Sequence, residues 1–200
     1  MRRFLLLSLA VTGALPVSAY AASEIYRIDP AHSEVRFTIR HLVSKVAGRF
    51  DAFKGEITLD PNDPSTMKIQ ATIDAASIDT NVDMRDNDLR SDHFFDVEKY
   101  PEITYVSKKV IKNGDDWTVI GDLTMHGVTK EVPLEVEVVG FMTDQRGTKR
   151  AGFEATGKID RKDFGITWNE VFDAGGTLLG DQVDITIHIE AKSVETSTSK

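Results

Sequence analysis

From residue 24 onward, apolar side chains recur at every second position, the period of a strand with one covered face. Ser33–His41 sets Val35, Phe37, Ile39 and His41 against Glu34, Arg36, Thr38 and Arg40. Lys54–Asp60 sets Gly55, Ile57 and Leu59 against charged and hydroxyl side chains, and Thr66–Asp74 does the same with Met67, Ile69, Ala71 and Ile73. Val132–Val138, Ala151–Ile159 and Val183–Ala191 repeat the alternation through Val136, Phe153, Ile185 and Ile187, and Ile103–Val110 and Trp117–Met125 are also strand-like. Turn signals separate the runs at Asp60-Pro61-Asn62-Asp63-Pro64, Asn113-Gly114-Asp115-Asp116, His126-Gly127, Gln145-Arg146-Gly147 and Gly175-Gly176. Short strands with regular turns specify an antiparallel sandwich or barrel. One apolar face per strand suits a barrel with an apolar inside and a wet outside.

One stretch departs from this period. Asn81–Leu89 is rich in Asp, Asn and Arg, with apolar residues at helical spacing, and Thr80 or Asn81 is placed to cap it. A short helix over one end of the barrel is expected, continuing into Ser91-Asp92-His93-Phe94-Phe95. Asp83, Asp86 and Asp88 lack the glycine and distal glutamate of a calcium loop and read as a solvated acidic face.

The N-terminus reads differently. Arg2 and Arg3 precede an apolar run, Phe4–Val17, that ends in Ala19-Tyr20-Ala21 before Ala22. This is the pattern of a secretory signal peptide, with cleavage expected after Ala21. The run is short for a membrane span of about 20 residues, and the paired arginines alone are a weak twin-arginine signal. Residues 1–21 are thus expected to be a signal peptide and 22–200 a single barrel domain, with a frayed tail at Ser193–Lys200. Removing Arg2 and Arg3 takes the 24 basic residues to 22, against 32 acidic ones, a formal charge of −10. That balance argues against nucleic acid and anionic membrane surfaces as partners. The chain has no cysteine, so thiol chemistry and lipid acylation at sulfur are excluded, and no stable membrane anchoring is expected.

Catalytic signatures are missing from the sequence: there is no nucleophile elbow, zincin helix, P-loop or dinucleotide loop. The histidines, at 32, 41, 93, 126 and 188, share no metal-ligand spacing. No catalytic residue, metal or cofactor is expected, although His41, His93 and His126 remain the acid–base candidates if the chain is an enzyme acting on a lipid head group. His188 lies on a polar strand face; His41 lies on an apolar one. The aromatics Phe37, Phe53, Phe94, Phe95, Tyr105, Phe153, Phe164 and Trp168 have a plain reading as core. An eight-stranded barrel, however, is just wide enough either to fill with side chains or to hold one ligand. Gly55, Ala71, Gly121, Ala155 and Gly157 fall at inward positions, which either leave room for a ligand or mark bulges and tight corners.

Several segments resemble the YceI-like family of polyisoprenoid-binding periplasmic proteins. They are Phe37-Thr38-Ile39-Arg40-His41-Leu42 with Gly48-Arg49-Phe50, Leu89–Val97 followed by Tyr100-Pro101, Gly121–Lys130, and Arg161–Ile166. The match runs in order from about Tyr26 to Ala191. The resemblance implies an all-β fold, an extended eight-stranded antiparallel lipocalin-like barrel with a short helix capping one end. It also implies a periplasmic binding or carrier protein without catalysis, holding an amphipathic lipid such as an isoprenoid quinone, a polyprenyl phosphate or a fatty amide. The tail is expected against Phe37, Ile39, Ile57, Ile69, Leu123, Val136, Phe153, Ile185 and Ile187. The head group is expected around Asp92–Phe95 or Trp168-Asn169, with His41, Phe53, His93, Tyr105 and Phe164 completing the site. A ligand-free stress or interaction protein with a filled barrel is the competing expectation. A homodimer is compatible with the sequence but not demanded by it.

Overall fold

The computed structural model describes residues 23–172 and 176–194. The signal peptide at 1–21, Gly175 and the tail from 195 lie outside the described residues.

The strands are β1 (Glu24–Ile28), β2 (Glu34–His41), β3 (Ser44–Phe50), β4 (Phe53–Asp60), β5 (Asp63–Asp74), β6 (Ile78–Asp79), β7 (Glu102–Asn113), β8 (Asp116–Met125), β9 (Val128–Thr143), β10 (Lys149–Asp160), β11 (Val171–Phe172), β12 (Gly176–Thr177) and β13 (Leu179–Ser193). All pairings are antiparallel, and β1, β4, β5, β7, β8, β9, β10 and β13 follow one another around a closed ring in which β13 returns to β1. The expected eight-stranded barrel is therefore the observed fold.

Three of its staves run on past a break. After β1 the chain makes one 3-10 turn at Pro30–His32 and continues as β2 along the same partner, β13. After β3, two residues separate it from β4. After β5, the turn Ala75–Ser77 leads to β6, which pairs with β3. The breaks sit at one level and are stitched together by backbone bonds: Asp51 N donates to Ser77 O, Asp74 N to Ala52 O, and Asp29 N to Glu190 O. This makes the barrel tall without opening an edge at that level.

The turns are tighter than their sequence suggested. Only Pro61 and Asn62 join β4 to β5, and Asp63 and Pro64 belong to the strand. His126 and Gly127 both have positive φ, 52° and 74°, which matches the two-residue turn favoured by twisted hairpins. Ser193, expected in a frayed tail, pairs with Tyr26, and Val194 N donates to Ile25 O.

The helix α1 (Asp83–Arg90) is present, but its start differs from expectation. Val82 is the N-cap residue and supplies no side-chain cap. Asn81 takes a left-handed φ of 61°. Thr80 is buried and gives both its backbone N–H and its hydroxyl to Asp86. Asp86 is thus an internal acceptor tying the helix to β6, not part of a solvated acidic face. The helix also stops at Arg90, and residues 92–95 form turns.

Candidate functional site

The two ends of the barrel are packed differently. At the end holding the β4–β5, β7–β8 and β9–β10 turns, Tyr26, Leu59, Val119, Ala151 and Ala191 are buried and fill the interior. The Tyr26 hydroxyl donates to Glu24, and its ring lies tilted on Phe141 at 6.0 Å. Toward the other end, inward side chains such as Phe37, Ile39, Val183 and Ile185 stay only half-buried. They border a cavity of about 750 Å³. A cavity of this size is in the range that takes a ligand, and the expectation of a filled barrel does not describe it.

The wall is built from alternate residues of nearly every stave. Ile57, Ile69, Leu123, Val136 and Phe153 line it, as do Phe37, Ile39, Ile185 and Ile187. Phe53 and Tyr105 also face it. The Tyr105 hydroxyl donates to the carbonyls of Val119 (3.0 Å) and Val132 (3.2 Å). Burial and, behind it, the carboxylates of Asp122 and Glu131 push this phenol well above its usual pKa. It stays neutral and its only polar atom is spent on the wall.

The inward glycines do not create this space. A Cβ on Gly121 would meet the Tyr105 ring at 2.5 Å, one on Gly55 the Ile28 side chain at 2.8 Å, and one on Gly157 the Leu134 side chain at 2.6 Å. Each glycine lets a neighbouring side chain lie flat on the sheet. Ala71 and Ala155, by contrast, do border the cavity.

The mouth lies at the end formed by the β2–β3 turn, α1 and the segments 161–172 and 176–179. His41, Val82, Met84, Arg85, Leu89 and Trp168 line it. Phe94 and Phe95 reach it from below the helix. Phe94 packs on Trp168 at 5.2 Å, and Phe95 meets Phe50 edge-on at 5.8 Å. Two expected residues lie elsewhere. His93 is exposed: it stacks outside Trp168 at 6.0 Å and bonds Asp88 at 2.9 Å. Phe164 is buried behind the wall, and its carbonyl meets His126 Nδ1 at 3.0 Å. His126 in turn packs against Tyr100, so it serves the β8–β9 turn. Asn169 is occupied with Leu179, donating to its carbonyl and accepting from its N–H. The histidines proposed for acid–base work therefore do not converge: His41 is at the mouth, His93 outside it and His126 behind it.

Two arginines are a feature that apolar periodicity cannot reveal. Arg161 is buried and gives its guanidinium to the carbonyls of Gly180, Ile166 and Trp168, with Asp181 at 3.4 Å. Burial lowers its pKa, but a guanidinium stays charged, so it works as a fixed clamp on the Trp168 segment. Arg85 reaches from α1 to the Thr80 hydroxyl (2.7 Å) and carbonyl (2.9 Å), and lines the mouth. Away from the cavity, Asp29, His32 and Glu190 bring donor atoms within 4.8 Å of one another. Lys192 already sits 2.6 Å from the Asp29 carboxylate, so this cluster is an ion-pair hub.

Comparison with known proteins agrees with this architecture. Protein YceI of Escherichia coli is 42% identical over 188 residues, covering 92% of this chain and 95% of that one. The crystal structure of Burkholderia cenocepacia BcnA superposes with a TM-score of 0.72 at 27% identity, over 82% of this chain and 98% of that chain. A polyisoprenoid binding domain from Saccharophagus degradans, implicated in plant cell wall breakdown, shares the fold with a TM-score of 0.65 at 19% identity, over 84% of this chain and 98% of its own. The model of the YceI-like domain matches residues 26–191, and the chain belongs to the YceI-like family.

Proposed function

We propose that the protein is a non-catalytic carrier that holds the apolar tail of a polyisoprenoid or similar amphipathic lipid inside the barrel. The observation that carries this reading is the cavity of about 750 Å³, walled by aliphatic and aromatic side chains and open at one end. A tall, narrow, apolar space fits a long chain better than a compact polar substrate. Burying about twenty apolar carbons contributes roughly 16 kcal/mol gross, and ordering the tail and losing its translation offset several to about 15 kcal/mol of it. The net is tight but reversible binding, which a carrier needs. The head group would sit at the mouth between Trp168, His41 and Arg85. The fold shared with the Saccharophagus domain supports the same ligand class. The signal-like N-terminus supports export, and we place the carrier in the periplasm.

The test is native mass spectrometry of the protein purified from the exporting cell, with solvent extraction of what it holds. The expected result is a co-purified isoprenoid lipid of defined mass. A ligand-free mass that does not change on adding a quinone with an isoprenoid tail or a polyprenyl phosphate would overturn the proposal.

A further inference from the structure

We infer that the open end of the barrel is a membrane-docking tip that inserts between neutral phospholipid headgroups to exchange the cavity's occupant. The inference rests on the carrier reading. Large apolar side chains are exposed on three separate segments at this end. Val43 is fully exposed and Leu42 44% exposed in the β2–β3 turn. Met84 is 84% exposed at the start of α1, beside Val82. Val171 is 72% exposed in β11. Two of the segments are tied together: Leu42 N donates to Leu178 O, and Leu178 N donates to Glu170 O.

Each of these side chains carries a desolvation gain that folding has left unused. What commits the tip to a bilayer is continuity with the cavity. Val82 and Met84 belong to the cavity wall and to the outer surface at once. An apolar path along Val82 and Met84 therefore leads from solvent to the interior, beside the His41 and Arg85 side chains at the mouth. A tail that uses this path has its reservoir in a lipid surface, since its solubility in water is negligible.

Charge selects the kind of surface. The chain carries a formal charge of −8, which opposes anionic membranes. At the tip, however, Arg40 donates to Leu42 O and the Thr177 hydroxyl, and Arg85 to the Thr80 hydroxyl and carbonyl. These oxygens carry no formal charge, and among the described residues neither guanidinium is ion-paired; both stand at the height where zwitterionic phosphates would lie when the valines and methionine are inserted.

The experiment is co-sedimentation of the purified protein with phosphatidylcholine vesicles, at low and at high salt, and with vesicles containing phosphatidylglycerol. Binding to phosphatidylcholine that survives high salt is expected, because insertion is apolar and not screened. Replacing Val43→Asp and Val171→Asp together, neither of which lines the cavity, should weaken it at least about tenfold. Val139→Asp, on exposed β9 surface at the far end, should leave it unchanged. Equal binding by the double variant and its parent, or binding only to phosphatidylglycerol and lost in salt, would overturn the inference. So would a solution dimer that the double variant abolishes, since a second copy would then be the occupant. Uptake of an isoprenoid quinone from detergent is measured in parallel. Uptake without vesicle binding removes the tip and leaves the carrier; vesicle binding without uptake removes the carrier and, with it, the exchange role of the tip.

Discussion

Phe37 shows how closely single residues set the width of the cavity. Its ring lies over Gly48, where an added Cβ would stand 2.4 Å from the ring's Cζ and 2.8 Å from the Thr80 methyl. The ring can therefore fold back on the sheet and lean toward Phe50, at 5.8 Å, instead of filling the barrel. Gly48→Ala should push the ring inward at a cost of about 1–3 kcal/mol, the range for overpacking. Urea unfolding checks this, and an unchanged midpoint would mean that the ring moves aside freely. The sequence placed Phe37 on the inner face correctly, because alternation decides which way a side chain points. It could not show where the ring ends, which depends on a glycine eleven positions away on the paired strand. For the same reason the sequence leaves the inward glycines open to two readings, room for a ligand or bulges and tight corners, and the side chains of Tyr105, Ile28 and Leu134 lying over them remove the first. Alternation fixes direction, while packing between staves decides what occupies the space.

At the scale of elements, the three aligned breaks give the barrel its height, and Asp29 holds the first of them. Its side chain accepts from Ala31 N at the start of the 3-10 turn and pairs with Lys192 on β13. Hydrogen bonds from Lys192 and then His32 hold its carboxyl at about 2, below the usual 3.8. The unfolded chain takes up a proton as pH falls through 3.8, and the folded chain resists until about 2. The stability from this pair is thus fully present above 3.8 and is lost as pH falls through about 2. Asp29→Asn should be less stable than its parent at neutral pH, by about 1 kcal/mol once solvent screening is allowed for. The difference should close between pH 3.8 and 2, as followed by thermal unfolding across that window; a constant gap would assign Asp29 a purely geometric role. The long strands were legible because they alternate over many residues. Strands β1 and β3 were not, since both are short and β3 is Ser-Lys-Val-Ala-Gly-Arg-Phe, with few apolar residues to mark a face. The cap of α1 was misplaced because Thr80 looks like a cap in one dimension, and only the fold turns its hydroxyl toward Asp86.

For the whole molecule, an unfilled barrel trades stability for capacity. The inner residues bordering the cavity lose packing partners, and the closed hydrogen-bond ring together with the filled end must hold the fold without disulfides. A ligand that occupies the cavity restores those contacts, so loading and stability are linked. At a free ligand concentration of 100 times Kd, loading should stabilise the protein by about 2.7 kcal/mol. Ala155 tests this link. It pairs with Val136 on one side and Ile187 on the other, and all three border the cavity. Ala155→Trp places a large apolar side chain where the tail would run. The variant should fold with a stability near that of the empty parent, since space is available for the indole, but it should gain nothing from added isoprenoid quinone. Thermal unfolding with and without the quinone, for both proteins, reads the two quantities together. A variant that still gains the full stabilisation would place the tail along another part of the barrel. A parent that gains none, while the quinone stays soluble in the assay, would mean that the cavity is emptied for some other purpose than holding this class of chain.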